Sequence, residues 1–175
     1  RRAVDAGAVI INDIWGLKAE PELAEVAAET FAGLVLMHNQ KGTQYLNLVP
    51  DLVSSLKDSV RTALEAGVPR DNIIVDPGIG FGKTPDQNLA VLARLDELKE
   101  LDCPILVGTS RKSTLGLLLD LPAEERVEAT AATVSLAIVG GANLVRVHDV
   151  KEMVRVCRVT DAVVRGWRPE GWKAS

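Results

Sequence analysis

Residues 73–83 read Ile-Ile-Val-Asp-Pro-Gly-Ile-Gly-Phe-Gly-Lys, and the rest of the chain is oriented by this stretch. Its opening run is β-branched and shows no alternation of apolar and polar positions. A strand buried on both faces of a parallel sheet reads this way. Asp76 closes the run, followed by Pro77 and a turn holding Gly78, Gly80 and Gly82. A carboxylate in such a semi-buried place needs a donor partner, or its charge is costly.

Four more apolar runs of strand length flank it, at 9–14, 34–38, 105–108 and 144–148. Each ends in polar residues or glycine: Asn12-Asp13, His38-Asn39, Gly108-Thr109-Ser110 and His148-Asp149. Helical patterns lie between them. Pro21 suits the first turn of a helix over 21–30. Val53, Leu56, Val60 and Leu64 recur at helical spacing, with Gly67 as the stop. Thr84 or Asp86 is placed to cap a helix reaching about Lys99. Another helix begins near Ser113, and a stripe of Val127, Ala131, Val134 and Ile138 ends at Gly140-Gly141. The last helix starts near Asp149, which is placed to cap it, and carries Val150, Met153, Val154 and Cys157 on one side.

Repeated strand–helix units imply a parallel sheet with right-handed crossovers. Pattern alone fits an open doubly wound sheet or part of a (β/α)8 barrel, and slightly favours the first. A complete barrel needs about 250 residues, and this chain has 175. In either case ligands sit at the carboxyl ends of the strands. The polar strand ends therefore share one face.

Composition narrows the classes. With 47% apolar residues, the chain has enough to pack a core. A net charge of -4 with mixed signs argues against nucleic acid as the main partner. No apolar stretch reaches the roughly 20 residues of a membrane span. Cys103 and Cys157 are expected as buried free thiols of a reducing cytoplasm.

The face itself carries recognisable chemistry. Asp76 can take two adjacent N–H donors of a heterocycle edge, although it could also merely cap its turn. Phe81 stands among glycines in a chain with 3% aromatics, which suits covering a flat ligand. Gly108-Thr109-Ser110-Arg111-Lys112-Ser113 puts two cations at a strand end, a place for an anion or for an electron-rich ring oxygen and nitrogen. Arg146 and His148 alternate onto one side of their strand and suit phosphate. The bland alternative pairs Arg146 with a core carboxylate and leaves His148 simply hydrogen-bonded. Asn12 offers donor and acceptor to a ring edge, Asp13 can cap a turn, and Met37 is packing or a soft contact with a ligand. Together these residues describe a site for a polar flat ring bearing a phosphate or diphosphate.

In combination and order, IINDIWG at 10–16, LMHN at 36–39, DPGIGFGK at 76–83, GTSRKS at 108–113 and RVHDV at 146–150 resemble the dihydropteroate synthase family. The resemblance covers essentially the whole chain. It implies an incomplete (β/α)8 TIM barrel of about five βα units, corresponding to strands 4–8. Residues 1–175 are then one pterin-binding domain whose N-terminal strands lie before Arg1. The implied reaction joins 6-hydroxymethyl-7,8-dihydropterin diphosphate to p-aminobenzoate, releasing pyrophosphate, in cytoplasmic folate biosynthesis. The resemblance further implies that Asn12, Asp76, Lys112 and Met37 bind the pterin and that Phe81 and Ser113 bind p-aminobenzoate. Arg146 and His148 hold the diphosphate, with Lys112, Arg146 and His148 catalytic. Mg2+ is implied as cofactor with its ligand upstream of Arg1, no metal ligand is expected within this chain, and a homodimer is possible by analogy. This piece alone is expected to be a poor catalyst. Trp15, where a small residue is more usual, and Asn39-Gln40-Lys41 depart from the pattern and bear on pocket shape. Competing readings are a methyltetrahydrofolate–corrinoid methyltransferase and a non-catalytic pterin-binding homologue.

Overall fold

The computed structural model describes residues 1–173. Its strands are β1 (Ile10–Asp13), β2 (Gly33–Met37), β3 (Ile73–Asp76), β4 (Leu106–Val107) and β5 (Leu144–Val145). The helices are α1 (Arg2–Asp5), α2 (Leu23–Thr30), α3 (Leu48–Glu65), α4 (Pro85–Ala93), α5 (Ser113–Leu119), α6 (Val127–Gly140) and α7 (Val150–Val164). All strand pairs are parallel: β1 with β2, β2 with β3, and β4 with β5. A bridge between Val75 and Ile105, with the Val75 N–H donating to Pro104 O at 2.9 Å, carries the ladder from β3 to β4.

Strand order in space therefore follows chain order. A doubly wound sheet must reverse its order at a switch point, and none of the described strands does so. The slight preference for the open sheet drawn from pattern alone is thus corrected. The sheet also curls: Arg146, just beyond β5, reaches Asn12 on β1 at 3.3 Å, across 134 residues of chain.

The buried strands behave as their sequences predict. β2 is buried from Leu34 to Met37, and β3 is closed at Ile73, Val75 and Asp76. β1 and β5 depart from full burial. Ile10 is half exposed and Leu144 and Val145 only partly covered, because each strand has a partner on one side only. The last expected strand is shorter than 144–148: Arg146 N–H still donates to Val107 O at 2.9 Å, but His148 lies past the ladder.

Helix α3 packs Val49, Leu52, Val53, Leu56, Val60 and Ala63 in one buried stripe, at the three- and four-residue spacing of a helix face. They meet Leu34, Leu36 and Ile73 in the main core. Each fully buried Leu or Val there contributes roughly 1.5–3 kcal/mol. Asp51 fixes the helix start by accepting the N–H groups of Leu46 and Asn47 at 2.8 and 3.0 Å. Thr84, rather than Asp86, caps α4. Its hydroxyl accepts from Gln87 N at 3.2 Å while Gln87 Oε1 accepts from Thr84 N at 2.8 Å. That helix stops at Ala93 and continues as a 3-10 segment to Leu101, so the single helix to Lys99 is divided at Arg94. Pro21 stands in the turn leading into α2, ahead of its first residue.

Val134 and Ile138 of α6 pack on Met153 of α7 in a smaller second cluster. The two cysteines are free and half-buried rather than fully buried, and burial pushes both thiols up. No helix of the described residues is long and apolar enough to cross a membrane.

Candidate active site

Asp76 sits at the centre of the face formed by the strand ends. It is 1% exposed, one oxygen accepting the Gly78 N–H at 2.8 Å and the other the Arg146 guanidinium at 2.9 Å. Burial pushes its carboxyl up, against the opposing pull of the Gly78 N–H, Arg146 and Lys112. Gly78 has a positive φ, which lets the chain turn sharply just after that N–H. Arg146 is half exposed and also donates to Asn12 Oδ1, so one planar guanidinium links both residues expected to read a ring edge. It lies across Gly108, where a Cβ would stand 3.0 Å from its Nη2.

Lys112 comes from the turn before α5. Its Nζ lies 4.4 Å from the centroid of Phe81. Burial pulls its pKa down, with Arg146 nearby adding to the effect and Asp76 opposing it. Ser113 is exposed beside it as the first residue of α5. Met37 is 1% exposed and stands level with Asp76 in the β2–β3 register, which is the packing role.

His148 and Arg146 are held by different partners. Ser110 Oγ accepts the His148 backbone N–H at 3.1 Å and lies 2.9 Å from its Nδ1. The hydroxyl proton can go to Nδ1, and in that tautomer the ring carries its proton on Nε2. Arg146 and the buried Asp76 realise the bland pairing of guanidinium and core carboxylate weighed from sequence.

Asp149 does not cap α7 with its side chain. It forms a two-point pair with Arg111 instead, at 2.6 and 3.1 Å, and Arg111 holds its carboxyl below the ordinary range. Arg111 therefore ties the β4 and β5 loops together, and Lys112 is left as the cation of its turn facing Phe81. Asp13 accepts the N–H groups of Trp15 and Leu17, the turn-capping role.

Three residues of the site were not singled out from sequence. Lys83 is buried, with Nζ 3.1 Å from His38 Nδ1, Gly78 O and Phe81 O. Asn88, inside α4, accepts the Gly80 N–H at 2.7 Å and donates to Thr114. Arg126 donates to the carbonyls of Arg111, Lys112 and Leu121, fixing the turn that carries Lys112. An Asn amid the apolar positions of a helix was the available signal for one of them. The other two are cations that act mainly on backbone carbonyls, which leave no sequence pattern.

His38 is 2% exposed, and burial, reinforced by Lys83 and Lys18, drives its pKa down to about 3. An unfolded histidine titrates near 6.5. Unfolding therefore takes up a proton below that pH, and the stabilising effect of the depressed pKa is lost as pH falls from about 6.5 towards 3. Between pH 6.5 and 5 this contributes a slope of up to ~1.4 kcal/mol per pH unit. His38→Gln should flatten the slope in denaturant titrations, and equal slopes in both proteins would refute the assignment.

One carboxylate thus faces Arg146, Lys112 and, one layer below, Lys83. The excess of cations favours an anionic ligand. A polar groove of about 470 Å³ adjoins the site between Gly16–Lys18 and α3, but it is lined by Asp51, Ser55 and Asp58 and not by Asp76 or Arg146. The described residues bring no three His, Cys, Asp or Glu side chains together as a metal site.

The sequence pattern of the family described as pterin binding enzyme matches residues 1–148. The dihydropteroate synthase of Bacillus subtilis (strain 168) is 53% identical over 162 residues, covering 93% of this chain and 57% of that protein. That of Clostridium beijerinckii is 51% identical over 165 residues, covering 94% and 61%. The chain therefore spans less than two thirds of the length of these relatives. Among solved structures, a Clostridium difficile dihydropteroate synthase in the presence of pteroic acid superposes with a TM-score of 0.92, at 43% identity over 94% of this chain and 63% of that one. A Thermus thermophilus dihydropteroate synthase in complex with 6HMPPP gives 0.86 at 38% identity, covering 92% and 64%.

Proposed function

The chain belongs to the pterin-binding enzyme family, and on that basis we propose that it is the C-terminal part of a dihydropteroate synthase. The observation that carries this reading is the buried Asp76 carboxylate with Arg146 and Lys112 around it at the strand ends. A pterin ring offers paired N–H donors to such a carboxylate, and a diphosphate suits the cations. The named relatives and the structures solved with pteroic acid and 6HMPPP support the same substrates.

In this reading Asp76 and Asn12 hold the pterin, Lys112 contacts its ring oxygen and nitrogen, and Met37 packs beneath it. Phe81 and Ser113 receive p-aminobenzoate, and Arg146 and His148 take the diphosphate. The bond between the pterin methylene carbon and the diphosphate oxygen breaks, and the electron pair leaves with the diphosphate. The amine nitrogen bonds to that carbon and loses a proton. No strong base is needed. The chain's contribution is charge stabilisation, from Arg146 and the Nε2–H of His148 on the departing oxygens and from Asp76 on the electron-poor ring.

The described residues offer no cluster fit for Mg2+, and no step is derived through it. We place the metal with the diphosphate and with residues before Arg1. The same proposal makes 1–175 a single domain, strands 4–8 of a (β/α)8 barrel. Sequential strand order, the curl that joins Arg146 to Asn12, and the one-sided β1 and β5 support it. A cytoplasmic enzyme, dimeric through the apolar faces of α6 and α7, is the corresponding assembly; Leu136, Val139, Val159 and Val163 are exposed there.

The test is pyrophosphate release from the pterin diphosphate by the chain restored to the length of its relatives, with and without p-aminobenzoate. Dependence on p-aminobenzoate establishes the synthase. Pterin binding without such release would turn the assignment to a corrinoid methyltransferase or a binding homologue. Arg146→Ala should lower kcat about 100-fold or more while the neutral pterin alcohol binds within about fivefold. Equal losses in both would remove Arg146 from the diphosphate.

A further inference from the structure

Lys83 has no role in the reading above, yet it is the most enclosed cation of the site, 9% exposed. Its ammonium reaches the carbonyls of Gly78 and Phe81 and the ring nitrogen Nδ1 of His38, each at 3.1 Å. Three donors meet three acceptors, so the group is fully satisfied. The two carbonyls bracket the loop whose Gly78 N–H holds Asp76 and whose Phe81 ring lies under Lys112. Other ties surround this one. Asn88 holds the Gly80 N–H at 2.7 Å, and Tyr45 donates to Gly82 O at 2.8 Å. These two partners are neutral, and of the three ties only Lys83 grips the carbonyl of Phe81 itself.

We propose that Lys83 is a positioning residue that clamps the 78–82 loop and thereby sets Phe81 as the wall of the p-aminobenzoate pocket. The clamp rests on the synthase reading for its substrate, and on geometry alone for its hold on the loop. Charge-assisted hydrogen bonds are roughly twice as strong as neutral ones, so the grip depends on the ammonium. Burial, with Lys18 adding and Asp76 opposing, lowers the Lys83 pKa to about 8. His38 stays neutral through this range and accepts at Nδ1, and Tyr45, its ring tilted against His38, is pushed up to about 12. The ammonium therefore weakens its hold as pH rises through about 8.

Lys83→Met keeps an unbranched side chain one atom shorter and removes the donors. In the protein restored to the length of its relatives, this change should raise KM for p-aminobenzoate at least tenfold. kcat should stay within threefold, and any rise in the pterin KM should be smaller than that for p-aminobenzoate. The unmodified protein should show KM for p-aminobenzoate climbing severalfold between pH 7 and 9.5, and the variant should be flat at its raised value. In Phe81→Ala, adding Lys83→Met should change that KM no further. Hydrogen exchange in the chain as it stands needs no substrate, and the Gly80 and Phe81 amides should exchange at least fivefold faster in Lys83→Met, with Leu56 in α3 unchanged. An unchanged loop exchange rate overturns the clamp. So does p-aminobenzoate-dependent pyrophosphate release with an unaltered KM in the variant. Absence of such release in the unmodified protein defeats the synthase reading itself, and with it the role in that pocket.

Discussion

Asp76→Ala should weaken pterin binding by about 100-fold to 10,000-fold and remove pyrophosphate release. Each hydrogen bond to a charged group contributes roughly 1.5–3 kcal/mol, and in the proposed reading the carboxylate accepts two from the ring edge. The substitution acts twice, because Arg146 also loses the partner on which it rests at 2.9 Å. Asp76→Asn removes the charge while leaving the turn intact. It keeps an oxygen for the Gly78 N–H and presents an amide donor where an acceptor is required, so binding should fall nearly as far while the loop stays in place. Calorimetry with the pterin alcohol and a pyrophosphate assay read both. Binding within threefold of the unmodified protein in Asp76→Ala would show that the ring is read elsewhere.

Gly78→Ala should be the most damaging single methyl group in the molecule's functional face. Gly78 has φ +68°, and a Cβ there would stand 2.0 Å from the carbonyl oxygen of His38, a backbone atom that cannot swing aside. Left-handed backbone at a non-glycine residue costs roughly 1–3 kcal/mol. Overpacking adds about 1–3 kcal/mol more. For a chain of this size that corresponds to a fall in Tm of roughly 10 °C. The displaced loop would also withdraw the N–H that holds Asp76. A melt within 2 °C of the unmodified protein would mean that the β2 and β3 ends are looser than their packing indicates. Gly42, also at positive φ, makes the contrast: nothing lies within 4 Å of a Cβ there, so its replacement costs only the backbone term.

Both residues stand in the stretch from which the fold was read, and that coincidence has a physical basis. A strand closed on both faces must be apolar along its length, so its end is marked by the first residue that needs solvent or a ligand. Asp76 is that residue in β3, and Asn12 and His38 mark β1 and β2 in the same way. Helix limits were legible where a side chain does the capping, as at Thr84 with Gln87. They were not legible where the break lies in the backbone, as at Arg94 between α4 and its 3-10 continuation. The motif at 108–113 showed two cations, but nothing in it indicated that Arg111 would be spent on Asp149. That pairing joins residues 38 positions apart and depends on β4 and β5 lying side by side.

Residue order alone established that the chain is a run of parallel βα units, that its polar strand ends share one face, and that this face suits a flat polar ring with an anion. Those conclusions follow from local rules: periodicity, turn chemistry, and the cost of burying a charge without a partner. Three-dimensional packing was needed for the sequential strand order and the curl of the sheet. It was needed, too, to seat Arg146 on Asp76 and Asn12, and to close His38 and two carbonyls over Lys83, unremarkable at the end of its motif. His38 comes from another strand end, and the two carbonyls of the Lys83 loop itself carry no residue identity. Only the packing that brings them within 3.1 Å of one ammonium shows that they act together.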